Sequence, residues 1–150
     1  MIAIDTNILI YAHREDSVWY EPADQCLTQL AEADLPWAIP WPCIHEFLAI
    51  TTHPRIYDPP TPLEDALEQV RCWLEAPSLY LLSENAGYWE ILQQLLTSYQ
   101  VKGPQIHDAR IAALCKHHGV KELWTADRDF QSFQIVPIVN PLVAIEHGEE

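Results

Sequence analysis

Five short apolar runs punctuate the chain: Ile2 to Ile4, Trp37 to Ile39, Leu79 to Leu82, Leu123 to Thr125 and Ile135 to Ile138. Helical patterns fill most of the gaps between them. They are predicted at Asn7 to His13, Val18 to Ala33, Cys43 to Thr52, Thr61 to about Ala76, Gly87 to Gln100 and Gln105 to His118. Strands alternating with helices of ten or more residues form βαβ units, and so a mostly parallel sheet in an α/β fold. The helix boundaries carry their own signals. Thr61-Pro62-Leu63-Glu64 reads as a capping box with proline at the first helical position. Gly119 stops the helix that begins at Gln105. The 150 residues contain no internal repeat and no evident linker, and a single domain spanning residues 1–150 is expected.

In open parallel sheets, ligands bind beyond the carboxyl ends of the strands. Two acids fall there. Asp5 follows the first strand directly, and Asp127 follows the run ending at Thr125. Asp108 lies in the first turn of a predicted helix, where the helix dipole stabilises a carboxylate by about 0.3–1 kcal/mol. Glu46 stands between Ile44 and Phe47 on a helix expected to be largely buried. Taken singly, Asp5 is a plausible helix cap, Asp108 a dipole partner and Asp127 the start of a tight turn. Glu46 is harder to explain, because an unpartnered buried acid costs several kcal/mol. All four map to one sheet edge.

Converging carboxylates repel, and one takes up a proton unless a cation is present. Hard oxygen ligands favour Mg²⁺ or Mn²⁺. Such ions lower the pKa of a bound water, orient a phosphodiester and stabilise the departing oxygen. The formal charge of −14, from 8 basic and 22 acidic residues, suits neutralisation by divalent cations or by a basic partner, although a phosphate backbone prefers a basic surface. Cations are few, and Arg55, on a loop after His53-Pro54, is the expected phosphate contact.

Other classes are set aside. The four cysteines are widely spaced, with no C-x-x-C pair, which argues against a zinc ribbon or a redox dithiol; reduced thiols in a cytosolic protein are expected. The first residues reach Asp5 before any apolar stretch is long enough to target or span a membrane, so a soluble cytoplasmic protein is expected. His107 and Asp108 point about 100° apart on a helix and form no chelating pair. A phosphatase with Asp5 as nucleophile would want a second aspartate two residues on, where Asn7 stands. The six tryptophans are assigned to core or interface rather than to base stacking.

Ile4-Asp5-Thr6-Asn7, the internal Glu46, the Asp108-Ala109 pair and Thr125-Ala126-Asp127-Arg128-Asp129-Phe130 together resemble the PIN domain, and more narrowly the VapC-type toxins of toxin–antitoxin systems. Thr52 to Arg55 is similar to a segment found in part of that group. The resemblance implies a three-layer α/β/α fold and Mg²⁺- or Mn²⁺-dependent hydrolysis of RNA phosphodiester bonds by a metal-activated water. It makes Asp5, Glu46, Asp108 and Asp127 the catalytic set, with Asp5, Asp108 and Asp127 as metal ligands. Thr6 and Thr125 are then supporting hydrogen-bond donors and Asp129 an auxiliary acid. It further implies an RNA substrate, an antitoxin partner covering the acidic pocket, and a homodimer, for which the segments Val18 to Ala33 and Thr61 to Ala76 are candidate surfaces. The alternative is a PIN-like module that grips RNA or a protein without cutting.

Overall fold

The computed structural model describes residues 1–143. Five strands form one all-parallel sheet: β1 (Ile2–Ile4), β2 (Trp37–Pro40), β3 (Leu79–Leu82), β4 (Glu122–Trp124) and β5 (Ile138–Val139). Their order is β3-β2-β1-β4-β5. The chain builds outward from β1 in one direction, then returns to lay β4 on the other side of β1. The strand order therefore reverses between β1 and β4, and the crevice at their carboxyl ends is the switch point where open α/β sheets bind ligands.

The helices are α1 (Thr6–His13), α2 (Tyr20–Glu32), α3 (Trp41–Thr51), α4 (Leu63–Leu74), α5 (Tyr88–Ser98) and α6 (Gln105–His117). Parallel crossovers are right-handed almost without exception, so reversing the direction of travel puts the two sets of helices on opposite faces. The packing agrees: α1 lies on α2 and α3, and α3 on α4, while α5 lies on α6. The result is the expected three-layer α/β/α arrangement. β1 is central, with Ala3 and Ile4 fully buried. Trp37, Phe47, Leu114, Leu123 and Phe130 are the larger side chains closing the core around it. Three of the four cysteines are buried, and Cys72 is exposed; all four are free thiols. Among the described residues, no helix is long and apolar enough to cross a membrane.

Two local expectations are corrected. The Thr61 to Glu64 capping box does not form. The helix starts at Leu63 after Pro62, with no side-chain cap. The Thr61 hydroxyl instead lies 3.1 Å from His13 Nε2 and accepts from Arg14 Nη1 at 3.3 Å. Tertiary partners at the end of α1 have taken the group that a local cap would have used. The last strand is also displaced, from Ile135–Ile138 to Ile138–Val139. Pro137 has no N–H for the ladder and contributes only its carbonyl, which accepts from the Leu123 amide at 2.9 Å.

One aromatic chain ties the α1–α3–α4 layer together. The Phe47 ring meets His13 at 5.2 Å and Trp73 at 4.8 Å between centroids, both edge-on. Phe47→Ala is expected to lower the unfolding free energy by about 3–5 kcal/mol, the range for a fully buried aromatic, as read from urea denaturation. A loss below about 1 kcal/mol would show that this contact does not hold α3 in place.

Candidate metal-binding active site

β1 ends at Ile4, and the chain turns into α1 through Asp5, whose extended backbone (φ −83°, ψ 163°) places it at the N-cap. Its amide still donates to the Trp124 carbonyl at 3.0 Å, so the β1–β4 ladder runs right up to the site. The carboxylate is 5% exposed and surrounded by donors. Oδ1 accepts from the Thr6 amide at 2.8 Å and from the Cys43 thiol at 3.5 Å. Oδ2 accepts from the Thr125 hydroxyl at 2.9 Å and from Asn7 Nδ2 at 3.2 Å.

The Thr125 hydroxyl is fully engaged. It gives its proton to Asp5 and accepts from Asn7 Nδ2 at 3.0 Å and from the Asp127 amide at 2.9 Å. Asn7 Oδ1 in turn accepts from the Ala126 amide at 3.0 Å. One asparagine thus fastens the exit of β4 to the start of α1. Its importance was missed in sequence: Asn7 lies within the Ile4-Asp5-Thr6-Asn7 segment, but a polar residue two positions after an acid carries no signal of a partner 118 residues away.

The other acids arrive from three further elements. Glu46 lies on α3, half-buried, with Oε2 accepting from the Thr6 hydroxyl at 2.9 Å. Asp108 lies in the first turn of α6. Asp127 leaves β4 and accepts the Asp129 amide at 2.9 Å, which opens the 3-10 turn Arg128–Ser132. This turn folds Asp129 back, so that Asp108, Asp127 and Asp129 each present an oxygen within 4.8 Å of the others. The expected tight turn at Asp127 and its place in the acidic group are therefore the same feature. Asp129 stands in this trio, while Asp5 and Glu46 lie outside it.

The electrostatics record the crowding. Asp5 is pushed up to about 6, chiefly by burial and further by the Glu46 charge, against the pull of its hydrogen bonds. Asp108 is also pushed up to about 6, by partial burial first and then by Asp127, Asp129 and Glu46. Glu46 acts on both and links the two groups. Among the described residues the arginine ion pairs are Arg14–Asp16, Arg71–Glu68 and Arg110–Glu84, and none reaches these acids. His107 offsets the Asp108 charge only in part, and an all-oxygen donor set that no ion pair among the described residues neutralises fits a hard divalent cation. His107 is exposed, and Arg55 lies exposed beyond α3 with no hydrogen bond or ion pair to the acidic group.

The PIN domain family profile matches residues 2–136. The chain belongs to the PIN domain family. Ribonuclease VapC43 of Mycobacterium tuberculosis is 31% identical over 147 residues, covering 98% of this chain and 99% of the relative. Among solved structures, VapBC2 from Rickettsia felis bound to a DNA fragment from their promoter superposes with a TM-score of 0.68 at 18% identity, covering 93% of this chain and 98% of that one. A toxin-antitoxin complex from Klebsiella pneumoniae gives 0.60 at 20% identity, covering 94% and 98%. Against this PIN frame, the acids are gathered at the switch point of the sheet, drawn from the ends of two strands and from two helices.

Two outcomes follow from this geometry. The Asp5 carboxyl has a folded pKa above its ordinary value of 3.8, so the native state keeps a proton that the unfolded chain releases. Its stabilising effect is complete below about pH 4 and is lost as pH rises through about 6, a difference of about 3 kcal/mol for Asp5. Metal-free protein is expected to lose unfolding free energy across this window, and millimolar Mg²⁺ or Mn²⁺ to restore it, with a larger gain at pH 7.5 than at pH 5. A cation effect that is equal at both pH values would contradict it. Separately, Asn7→Ala is expected to destabilise by about 1–3 kcal/mol through the orphaned Ala126 amide. Asn7→Asp is expected to cost more at pH 7.5 and to approach the alanine variant below pH 4, where its added charge is neutralised; thermal melts at the two pH values check this.

Proposed function

We propose that this chain is a single-domain, metal-dependent endoribonuclease and the toxin component of a type II toxin–antitoxin pair. The observation that carries the proposal is the convergence of Asp108, Asp127 and Asp129, with Asp5 and Glu46 beside them, at the β1/β4 switch point, with no ion pair among the described residues neutralising them. The named ribonuclease VapC43, matched over nearly its whole length, supports RNA as the substrate.

In this reading, Asp5, Asp108 and Asp127 would hold Mg²⁺ or Mn²⁺, with Asp129 assisting them. When bound, the cation supplies counter-charge for the phosphodiester, lowers the pKa of a water and stabilises the departing oxygen. Thr125 and Asn7 hold the Asp5 carboxylate in one orientation, and Thr6 does the same for Glu46. Glu46 has one oxygen committed to Thr6 and the other available to accept a proton from the attacking water. The water oxygen forms a new bond to phosphorus while the bond to the departing ribose oxygen breaks. Arg55, an exposed cation on a loop, contacts RNA phosphate away from the reacting centre.

The remaining assignments follow the same chemistry. An antitoxin that inserts a basic side chain among the acids would supply the missing counter-charge, and the net charge of −14 favours encounter with a basic partner. The likeness to solved VapBC and toxin-antitoxin complexes supports such a partner. The exposed Leu63, Leu67 and Leu74 on α4 support burial of that surface in a homodimer. The cytoplasm, where RNA targets reside, is the proposed compartment.

Cleavage of total RNA by partner-free protein, with Mg²⁺ or Mn²⁺, tests the reading. Discrete cuts are expected, and EDTA is expected to abolish them. Asp5→Asn, Asp108→Asn and Asp127→Asn are each expected to lower the rate by more than about 100-fold. Thr125→Val, which leaves the ligands but removes a supporting donor, is expected to lower it by about 10–100-fold. Full activity in all three aspartate variants would overturn the proposal, and RNA binding without cutting would favour the binding module.

A further inference from the structure

A cavity of about 450 Å³ opens beside the acidic group, between the exit of β4, the 3-10 turn and β5. This lies within the range of roughly 300–1,000 Å³ typical of small-ligand sites. Asp127 lines the cavity and also belongs to the carboxylate trio, so the two spaces adjoin through one side chain. Ile138 and Val143 give the cavity an apolar wall, while Arg128, Gln131 and Asn140 give it a polar one.

Arg128 offers only donors, and the side-chain amides of Gln131 and Asn140 each carry a donor. Arg128 and Gln131 are three residues apart on the 3-10 turn, and side chains with that spacing eclipse one another, so both face the same space. Asn140 Oδ1 already accepts from the Leu142 amide at 3.1 Å, which leaves its Nδ2 as a donor. Among the described residues, Arg128 makes no ion pair. An apolar wall with in-plane donors at its margin suits an unstacked nucleobase, which single-strand RNA readers grip by its face and read by its edge. Paired donors from a guanidinium match the O6 and N7 acceptors of guanine, a pairing adenine cannot offer because its N6 is itself a donor.

We propose that this cavity is a nucleobase subsite that holds a guanine adjoining the scissile phosphate, with Arg128 and Gln131 as the residues that determine specificity. The proposal rests on the ribonuclease reading above for the place of the phosphate, which lies on the Asp127 side of the cavity. It gives the acidic protein a sequence-reading contact in one of its few cations, where Asp127 and Arg128 line the same cavity.

Two measurements test it. The first is sequencing of cut sites in a randomised RNA pool. Wild-type protein is expected to enrich guanine at one fixed position next to the cut. Arg128→Ala is expected to reduce that enrichment by about tenfold, within the discrimination of a bidentate base contact, and Gln131→Ala to reduce it less. Arg128→Lys is expected not to restore it, because a point charge lacks the paired donors. A wild-type profile indifferent to guanine, or an Arg128→Ala variant that slows all sequences equally, would overturn the proposal; the latter would make Arg128 a phosphate contact.

The second measurement uses the Asp5→Asn protein in Mg²⁺, with an octaribonucleotide carrying a single guanosine. Replacing that guanosine by deazaguanosine lacking the N7 acceptor, or by adenosine, is expected to weaken binding by about fivefold or more. The difference is expected to vanish when Arg128→Ala is added. Equal affinities for all three oligonucleotides would overturn the subsite. If wild-type protein fails to cut yet the guanine preference in binding holds, the ribonuclease reading falls and the subsite stands. If it cuts without regard to guanine, the reverse is true.

Discussion

The hydroxyl of Thr125 is the point on which the site turns. It has one proton and two lone pairs, and all three are used: the proton goes to Asp5, and the lone pairs take Asn7 Nδ2 and the Asp127 amide. Through that one oxygen the ends of β1 and β4 are locked together. Asn7 completes the lock by accepting the Ala126 amide. These strands are neighbours in the sheet although 120 residues separate Asp5 from Thr125. The parallel ladder brings them side by side, and the hydrogen bonds fix the orientation of the carboxylate that emerges there.

Around this lock the fold gathers charge against its own electrostatic preference. Asp5 is buried and Asp108 half-buried, and each is pushed up to about 6 by loss of solvent and by neighbouring acids. No arginine ion pair among the described residues relieves them. A structure that holds such a group at neutral pH stores an unfavourable interaction, which a divalent cation or a basic side chain from a partner removes. In the proposed reading, the same property lets an acidic protein accept a polyanion. The acids are concentrated where a cation belongs, and bound cations turn a repulsive pocket into an attractive one.

The supporting layers are ordinary by comparison. The helices pack on the sheet through fully buried aliphatic and aromatic side chains, and the Phe47 contacts tie α3 to α1 and α4. That packing matters to the site because α3 carries Glu46 one residue before Phe47. Burying the aromatic fixes the rotation of the helix, and the acid, about 100° further round, meets the Thr6 hydroxyl.

The sequence by itself determined the class of fold and named candidate acids for the site. Alternating apolar runs and helical patterns pointed to a parallel sheet, and acids at or just past strand ends put Asp5 and Asp127 on its binding edge. Glu46 was legible because an acid inside an apolar helix demands a reason. Tertiary structure decided what depends on contacts between distant segments. It placed Asp129 in the trio through a turn onto Asp127. It made Asn7 the clamp, gave Thr61 to His13 and Arg14 in place of a helix cap, and displaced the last strand past Pro137. The strand moved because Pro137 has no N–H to give the ladder, and Asp129 met Asp108 through a local turn; for Asn7 and Thr61 the physical reason is the same. Local patterns report which face of an element is buried and which residues suit its ends, whereas a hydrogen-bonding side chain goes to the partner that folding brings within 3 Å, and that partner can lie anywhere in the chain.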